Sequence, residues 1–236
     1  MARIGFQYNF FLSSNEPLNI AYTMDGSNPP PAVPGTFNLE LVTNPPFGAS
    51  FTLPAGYRGL ATFPGGTGQQ LSLVAGDFGV VDTGSNDIIT LGAGNATVGG
   101  AQHDTITGGI GNQFIDGSAG NQSITGGAAG NETVYGGAGD TINSGGANVV
   151  IGGVAGDTIT GGTGNQFIDG TSGHQNITAG TGNTTIYGGA GDLITGGANT
   201  TIGGGQGNTI SGGAFIDGSA GNLFITGNLS GRATIW

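Results

Sequence analysis

Several residue types are scarce or absent in this chain of 236 residues. It has no Cys, which excludes a disulfide framework and a thiolate metal site. It has no Lys and three Arg (Arg3, Arg58 and Arg232) against 14 acidic residues, giving a formal net charge of -11. Such a surface repels nucleic-acid phosphates and attracts divalent cations. No apolar run approaches the roughly 18 residues of a membrane span. We therefore expect no nucleic-acid partner and no membrane span.

Groups that carry catalysis are equally scarce. The two His, His103 and His174, stand alone in Gly-rich stretches that predict surface turns. There is no Gly-x-Ser-x-Gly elbow, no His-x-x-x-His pair and no phosphate loop with Lys. The many G-x-G-x-x-G matches carry no weight in a chain with 54 Gly. The sequence therefore predicts a protein that is not an enzyme.

What the chain does contain is a unit of eight to ten residues, recurring from about Asp87 and centred each time on one aliphatic residue. Most units are bounded by Gly-Gly. Stacked units of this kind bury a continuous row of side chains that no single unit could bury alone. The central residues are Ile89, Val98, Ile106, Ile115, Ile124, Val134, Ile142, Ile151, Ile159, Ile168, Ile177, Ile186, Ile194, Ile202, Ile210, Ile216, Ile225 and Ile235.

Each unit predicts a Gly-rich turn followed by a very short strand. In one unit Ile168 points inward, whereas Phe167 and Asp169 point outward, because successive side chains of a strand alternate. No segment has a helical apolar period, so we predict essentially no α-helix. The predicted fold is all-β: a parallel β-roll or β-solenoid of about eight coils. A longer repeat spans six units, which leaves two or three units per coil open, and we favour two.

The first part of the chain differs in composition. Residues 1–70 hold all nine Pro and most of the Phe. We predict a small β-rich cap or docking domain at 1–70 and the solenoid at 71–236, with Leu73 and Val81 as its first inward positions. The first residues do not form a signal peptide.

The units resemble the nonapeptide repeats of the hemolysin-type (RTX) calcium-binding family, with the pattern G-G-x-G-x-D-x-U-x, in which U is a large aliphatic residue. The resemblance implies a β-roll with two units per coil and calcium in the turns, bound by the Asp carboxylate and backbone carbonyls. It also implies secretion without a cleaved N-terminal signal. We therefore expect an extracellular or cell-surface protein.

The position that holds the metal-binding Asp of that family is two residues before the aliphatic one. In the 17 units from Ile89 to Ile225 this position is Asp in five: Asp87, Asp104, Asp140, Asp157 and Asp192. All five fall in odd-numbered units, so with two units per coil they share one edge of the roll. We expect calcium at a few sites along this edge. The alternative is that these Asp bind turn N–H groups, as in Asx turns.

The remaining candidate residues point outward. Phe114, Phe167 and Phe215 recur every six units beside Asp116, Asp169 and Asp217, and exposed Phe in a regular row indicates a contact surface. We assign Trp236, in the last strand-like segment, to the same assembly surface. The favoured function is a self-assembling surface or fibre subunit, a homo-oligomer built head to tail. The alternatives are a calcium-dependent adhesion or secretion module and, because outward Thr recurs, an ice- or glycan-binding protein.

Overall fold

The computed structural model describes residues 18–23, 30–42, 50–52, 55–62, 67–72, 78–81, 84–146, 148–213, 215–226 and 234–235. Within these ranges the chain forms strands and turns without any α-helix, as the missing helical period predicted. No helix in the described ranges is long and apolar enough to cross a membrane.

Two parallel sheets contain all the named strands. Sheet A has 13 strands, in the spatial order β1 (Leu18–Thr23), β2 (Phe37–Val42), β4 (Tyr57–Thr62), β6 (Phe78–Val81), β8 (Ala96–Gly99), β10 (Gln113–Gly117), β12 (Asn131–Gly136), β14 (Asn148–Gly152), β16 (Gln166–Gly170), β18 (Thr184–Gly188), β20 (Thr200–Gly203), β22 (Phe215–Asp217) and β24 (Thr234–Ile235).

Sheet B has 11 strands. In spatial order they are β3 (Ser50–Thr52), β5 (Gln70–Ser72), β7 (Ile88–Thr90), β9 (Thr105–Thr107), β11 (Ser123–Thr125), β13 (Thr141–Asn143), β15 (Thr158–Thr160), β17 (Asn176–Thr178), β19 (Leu193–Thr195), β21 (Thr209–Ser211) and β23 (Phe224–Thr226).

From β2 onward, successive strands alternate between the two sheets, so each coil contributes one strand to each sheet. The register aligns central aliphatic residues of successive coils, for example Ile89 with Ile106 in sheet B and Val98 with Ile115 in sheet A. The prediction of two units per coil is confirmed, and the three-sided alternative is wrong. The spacing between the central residues Ile210 and Ile216 is shorter than in the other units. The chain turns there through two consecutive left-handed residues, Gly212 (φ 75) and Gly213 (φ 108).

The interior is the row of central aliphatic side chains. From Ile89 to Ile216 each of them is at most 1% exposed, while their strand neighbours point outward. Ile168, for example, is fully buried, and Phe167 beside it is 39% exposed, as predicted. Burial of such side chains contributes about 1.5–3 kcal/mol each, offset largely by ordering of the Gly-rich backbone. Ile225 in β23 is only partly buried.

The sheets continue across the domain boundary predicted at residue 70. Strands β1, β2 and β4 pair in sheet A, and β3 and β5 pair in sheet B, all in parallel with the later strands. Leu71 is buried and aligned with Ile89, and Val80 is aligned with Val98, one or two residues earlier than the predicted Leu73 and Val81. Both sheets are therefore longer than the predicted eight coils. A separate N-terminal domain stays a prediction that includes residues outside the described ranges.

Candidate functional site: buried polar rows and an aromatic stripe

A row of buried polar side chains follows one corner of the roll. Its members lie two residues before the central aliphatic residue of each sheet B strand, and each is at most 2% exposed. This carboxylate row consists of Gln69, Asp87, Asp104, Gln122, Asp140, Asp157, Gln175, Asp192 and Asn208. The structure places all five Asp that were predicted as metal ligands in this one row.

One carboxylate oxygen of each Asp binds the preceding coil. Oδ1 accepts a hydrogen bond from the backbone N–H of the preceding row member: Gln69 to Asp87 (2.6 Å), Asp87 to Asp104 (3.0 Å), Gln122 to Asp140 (2.7 Å), Asp140 to Asp157 (2.9 Å) and Gln175 to Asp192 (2.8 Å). Asn208 accepts from Asp192 in the same way (2.9 Å). The side chains therefore link successive coils by a second set of hydrogen bonds beside the sheet.

The other oxygen of four of these Asp binds the turn that precedes it. Oδ2 accepts from the N–H three residues earlier: Ala101 to Asp104 (2.6 Å), Gly137 to Asp140 (2.8 Å), Val154 to Asp157 (2.8 Å) and Gly189 to Asp192 (2.7 Å). This is the turn-binding role that was the alternative to calcium. Each of these four carboxylates closes its own turn and ties it to the coil before.

The backbone before this row is left-handed in every coil. The residues are Gly68, Asn86, His103, Asn121, Gly139, Gly156, His174, Gly191 and Gly207, with φ between 56 and 89. Gly adopts this conformation freely, and Asn and His are among the side chains found there most often. The conformation accounts for the positions of both His without any chemical role.

Burial raises the pKa of three Asp in this row. For Asp140 it raises the pKa to about 6, helped by the neighbouring Asp157 carboxylate and opposed by the hydrogen bonds from Gln122 and Gly137. Burial also raises the pKa of Asp157 and of Asp192. These three carboxyl groups therefore hold a proton more tightly than exposed carboxyl groups do.

The surroundings of the carboxylates bear on the predicted calcium sites. Calcium takes six to eight oxygen ligands, whereas the groups that contact these oxygens are backbone N–H donors. Within the described residues no group of three His, Cys, Asp or Glu is placed to hold a metal ion. The hydrogen bonds give the Asp a structural role, and calcium binding stays a prediction.

A second buried row follows the opposite corner, before the strands of sheet A. Its members share no chemistry: Ala96, Gln113, Glu132, Val149, Gln166, Thr184 and Thr200. Glu132 is 3% exposed, and its carboxyl lies near the N–H groups of Gly127 and Gly145 without a hydrogen bond of good geometry. Burial raises its pKa to about 7 despite these N–H groups.

An asparagine ladder runs along the outside of that second corner. Asn112 and Asn131 each donate a backbone N–H to the side-chain oxygen of the Asn one coil before (3.0 Å in both cases). The side chain of Asn183 donates to Asn165 (3.0 Å). Neither this ladder nor the burial of Glu132 was predicted. The signal for the ladder was present, since Asn stands three residues before the aliphatic residue in successive even units.

The outer face of sheet A carries a stripe of exposed aromatic side chains. Phe114, Phe167 and Phe215 are 37–39% exposed, as expected for outward residues, and Tyr135 and Tyr187 are each 49% exposed. These five residues are called the aromatic stripe. Phe114 contacts Tyr135 edge to face, with centroids 5.5 Å apart, and Phe167 contacts Tyr187 at 5.6 Å. The tyrosines were missed as surface candidates, and Trp236 lies outside the described residues.

Three carboxylates lie on the same face. Asp116 is aligned with Tyr135, and Asp169 with Tyr187, on adjacent strands. In each Asp, Oδ1 accepts the backbone N–H two residues later, as for Asp116 with Ser118 (3.0 Å). For the exposed Asp217, the hydrogen bonds from Ser219 hold the pKa below its ordinary value.

Comparison of the chain with known protein families, with curated proteins and with solved structures finds no match. The resemblance to RTX repeats therefore rests on the repeat pattern alone.

Proposed function

We propose that this chain is a non-catalytic structural protein of the cell exterior, a β-solenoid rod whose copies assemble end to end. The observation that carries the proposal is the carboxylate row. Four of its Asp, Asp104, Asp140, Asp157 and Asp192, use both carboxylate oxygens to bind backbone N–H groups of their own and the preceding coil. The acidic groups that would otherwise suggest chemistry thus stabilise the stack of coils.

The ends of the roll support end-to-end assembly. Among the described residues, the outermost strands are β1 and β24 in sheet A and β3 and β23 in sheet B. In β23 the inward residue Ile225 is only partly buried, and Phe224 is 63% exposed. An outermost strand presents unpaired N–H and C=O groups that pair with another strand. Because the strands are parallel, a second copy in the same orientation continues both sheets, and contacts of this head-to-tail type build filaments.

The extracellular location in this proposal comes from the RTX resemblance, which also adds calcium as a stabiliser of the assembly. The net charge of -11 agrees with a chain that does not bind nucleic acid. In this proposal the stripe on the side of the rod is a contact surface separate from the ends.

The experiment is sedimentation and negative-stain microscopy of the full chain over a range of concentrations, with calcium and with a chelator. We expect filaments or a ladder of oligomers that grows with concentration. Ile225→Lys places an inward charge on the outermost strand and should leave a folded monomer. The control is Leu193→Lys, on an interior strand of the same sheet, which should assemble like the native chain. A native chain that stays monomeric at high concentration with calcium present would contradict the proposal.

A further inference from the structure

The aromatic stripe repeats its chemistry along the rod. A Phe, an Asp and a Tyr come together on β10 and β12, and the same three recur on β16 and β18. Phe215 and Asp217 begin a third group on β22. Three coils separate successive groups, which corresponds to about 14 Å at the ordinary spacing of paired strands. The face thus offers evenly spaced groups of similar composition.

Each Tyr ring lies against the sheet because the next strand carries a Gly beneath it. A Cβ on Gly152 would lie 3.0 Å from the ring of Tyr135, and a Cβ on Gly203 would lie 3.0 Å from the ring of Tyr187. With any other residue at Gly152 or Gly203, the Tyr ring would have to shift slightly to make room for the Cβ. About half of each Tyr surface stays exposed and available to a partner.

The charge of this face indicates the chemistry of that partner. No Lys or Arg occurs between Gly59 and Gly231, and Arg58, the one Lys or Arg among the described residues, lies over the Phe37 ring at 5.2 Å. A second copy facing the stripe would bring like-charged carboxylates together, and a neutral glycan would leave them uncompensated. A guanidinium or ammonium group both pairs with a carboxylate and lies favourably over an aromatic ring.

We propose that the aromatic stripe is the docking surface for a basic polypeptide segment in extended conformation. Four extended residues span about 13–14 Å, so Arg or Lys at every fourth position would meet successive groups of the stripe. Each cation would lie between an Asp and the aromatic pair. The contact uses the side of the rod and does not require end-to-end assembly, so its failure and the failure of assembly are separate results.

The test is a titration of the full chain with a labelled peptide that carries Arg at every fourth position among Gly and Ser. A peptide with Glu in place of Arg and a neutral glucose hexamer are titrated in parallel. We expect the Arg peptide to bind, with an affinity that falls as salt rises, and the Glu peptide and the hexamer not to bind. Tighter binding of the neutral hexamer than of the Arg peptide would overturn the proposal in favour of a glycan surface.

Matched variants locate the contact. Asp116→Asn with Asp169→Asn keeps the side-chain oxygen that accepts the backbone N–H and removes the charge. We expect a loss of affinity of at least tenfold and a weaker salt dependence. Tyr135→Ala with Tyr187→Ala should cost a similar factor, whereas the corresponding Tyr→Phe pair should keep binding. If the Tyr→Ala pair fails to fold, the Asp→Asn pair decides.

The control removes comparable exposed apolar surface from the other sheet. Ile88 and Leu193 are 45% and 46% exposed on sheet B, and Ile88→Ala with Leu193→Ala should bind the Arg peptide like the native chain. Equal losses in this control and in the stripe variants, or unchanged binding in the stripe variants, would overturn the proposal.

Discussion

The two corners of the roll occupy the same place in the repeat but differ in chemistry. Before sheet B, a left-handed residue precedes each member of the carboxylate row, and Asp157 and its equivalents accept N–H groups from two directions. Before sheet A, the corresponding residues include Val149, Glu132 and Thr184. The comparison shows that Asp and Asn at the first corner accept N–H groups, whereas the second corner accommodates Val149 and Thr184 at the same place in the repeat.

The largest expected effect is the loss of a carboxylate from the first corner. Asp157→Ala leaves the buried N–H of Asp140 and the partly buried N–H of Val154 without acceptors, and a buried group left in this way costs about 1–3 kcal/mol. We expect it to lower the free energy of unfolding by about 3 kcal/mol, measured by denaturant titration. The matched change in the second corner, Thr184→Ala, should cost about 1 kcal/mol. Equal losses for the two variants would remove the distinction between the corners.

The second prediction concerns Glu132, whose pKa is raised by burial to about 7 from 4.5. A carboxyl with a raised folded-state pKa stabilises the fold fully below about pH 4.5, and this contribution is lost as the pH rises through about 7. Gln113 and Gln166 show that an amide fits the same row. Glu132→Gln should therefore stabilise the protein by about 2–3 kcal/mol at pH 8 and by much less at pH 4.5.

Denaturant titrations of this variant and of the native chain at the two pH values measure that difference. Asp116→Asn, at a half-buried position on the outer face of sheet A, serves as the control and should leave the pH dependence almost intact. A Glu132→Gln variant that is less stable than the native chain at pH 8 would contradict this prediction. It would show that the nearby N–H groups offset the free-energy cost of burying the charged carboxylate.

The third prediction concerns calcium, for which we expect a smaller change in stability. We expect calcium to raise the melting temperature without being required for folding. At a concentration tenfold above its Kd, one bound ion adds about 1.4 kcal/mol to the free energy of unfolding. Asp140→Ala and Asp157→Ala should each reduce this increment, whereas Gln113→Ala in the other corner should not. Melting with calcium and with a chelator measures the effect. A chain fully unfolded in chelator would show that the hydrogen bonds of the carboxylate row do not suffice.

The smallest effect concerns the left-handed position. His103 has φ 64, which Gly adopts without strain, so His103→Gly should change the free energy of unfolding by less than about 0.5 kcal/mol. Asn131 belongs to the ladder at the other corner, and Asn131→Gly should cost about 1 kcal/mol through its hydrogen bonds. A marked destabilisation by His103→Gly would indicate a role for the imidazole.

The sequence was sufficient for the architecture and for which side chains point inward. The spacing of Ile89, Ile106 and Ile124 predicted the stacked rows, because only a short turn and strand fit into eight to ten residues. The pattern could not tell whether Asp140 binds turn N–H groups or a metal, since both use the same residue. It also did not predict that strands before residue 70 pair into the same two sheets, because the Gly-Gly boundaries are absent there and the spacing is irregular.

The central claim is that Glu132 and Asp140, whose pKa values are raised chiefly by burial, serve the fold as buried carboxyl groups of the roll. The most direct measurement is the melting temperature of the native chain at pH 5 and at pH 8 in chelator. The account predicts a higher melting temperature at pH 5. In the double variant Glu132→Gln, Asp140→Asn this difference should largely disappear. In the control double variant Asp116→Asn, Asp169→Asn it should remain. A native chain that melts at a higher temperature at pH 8 than at pH 5 would contradict it.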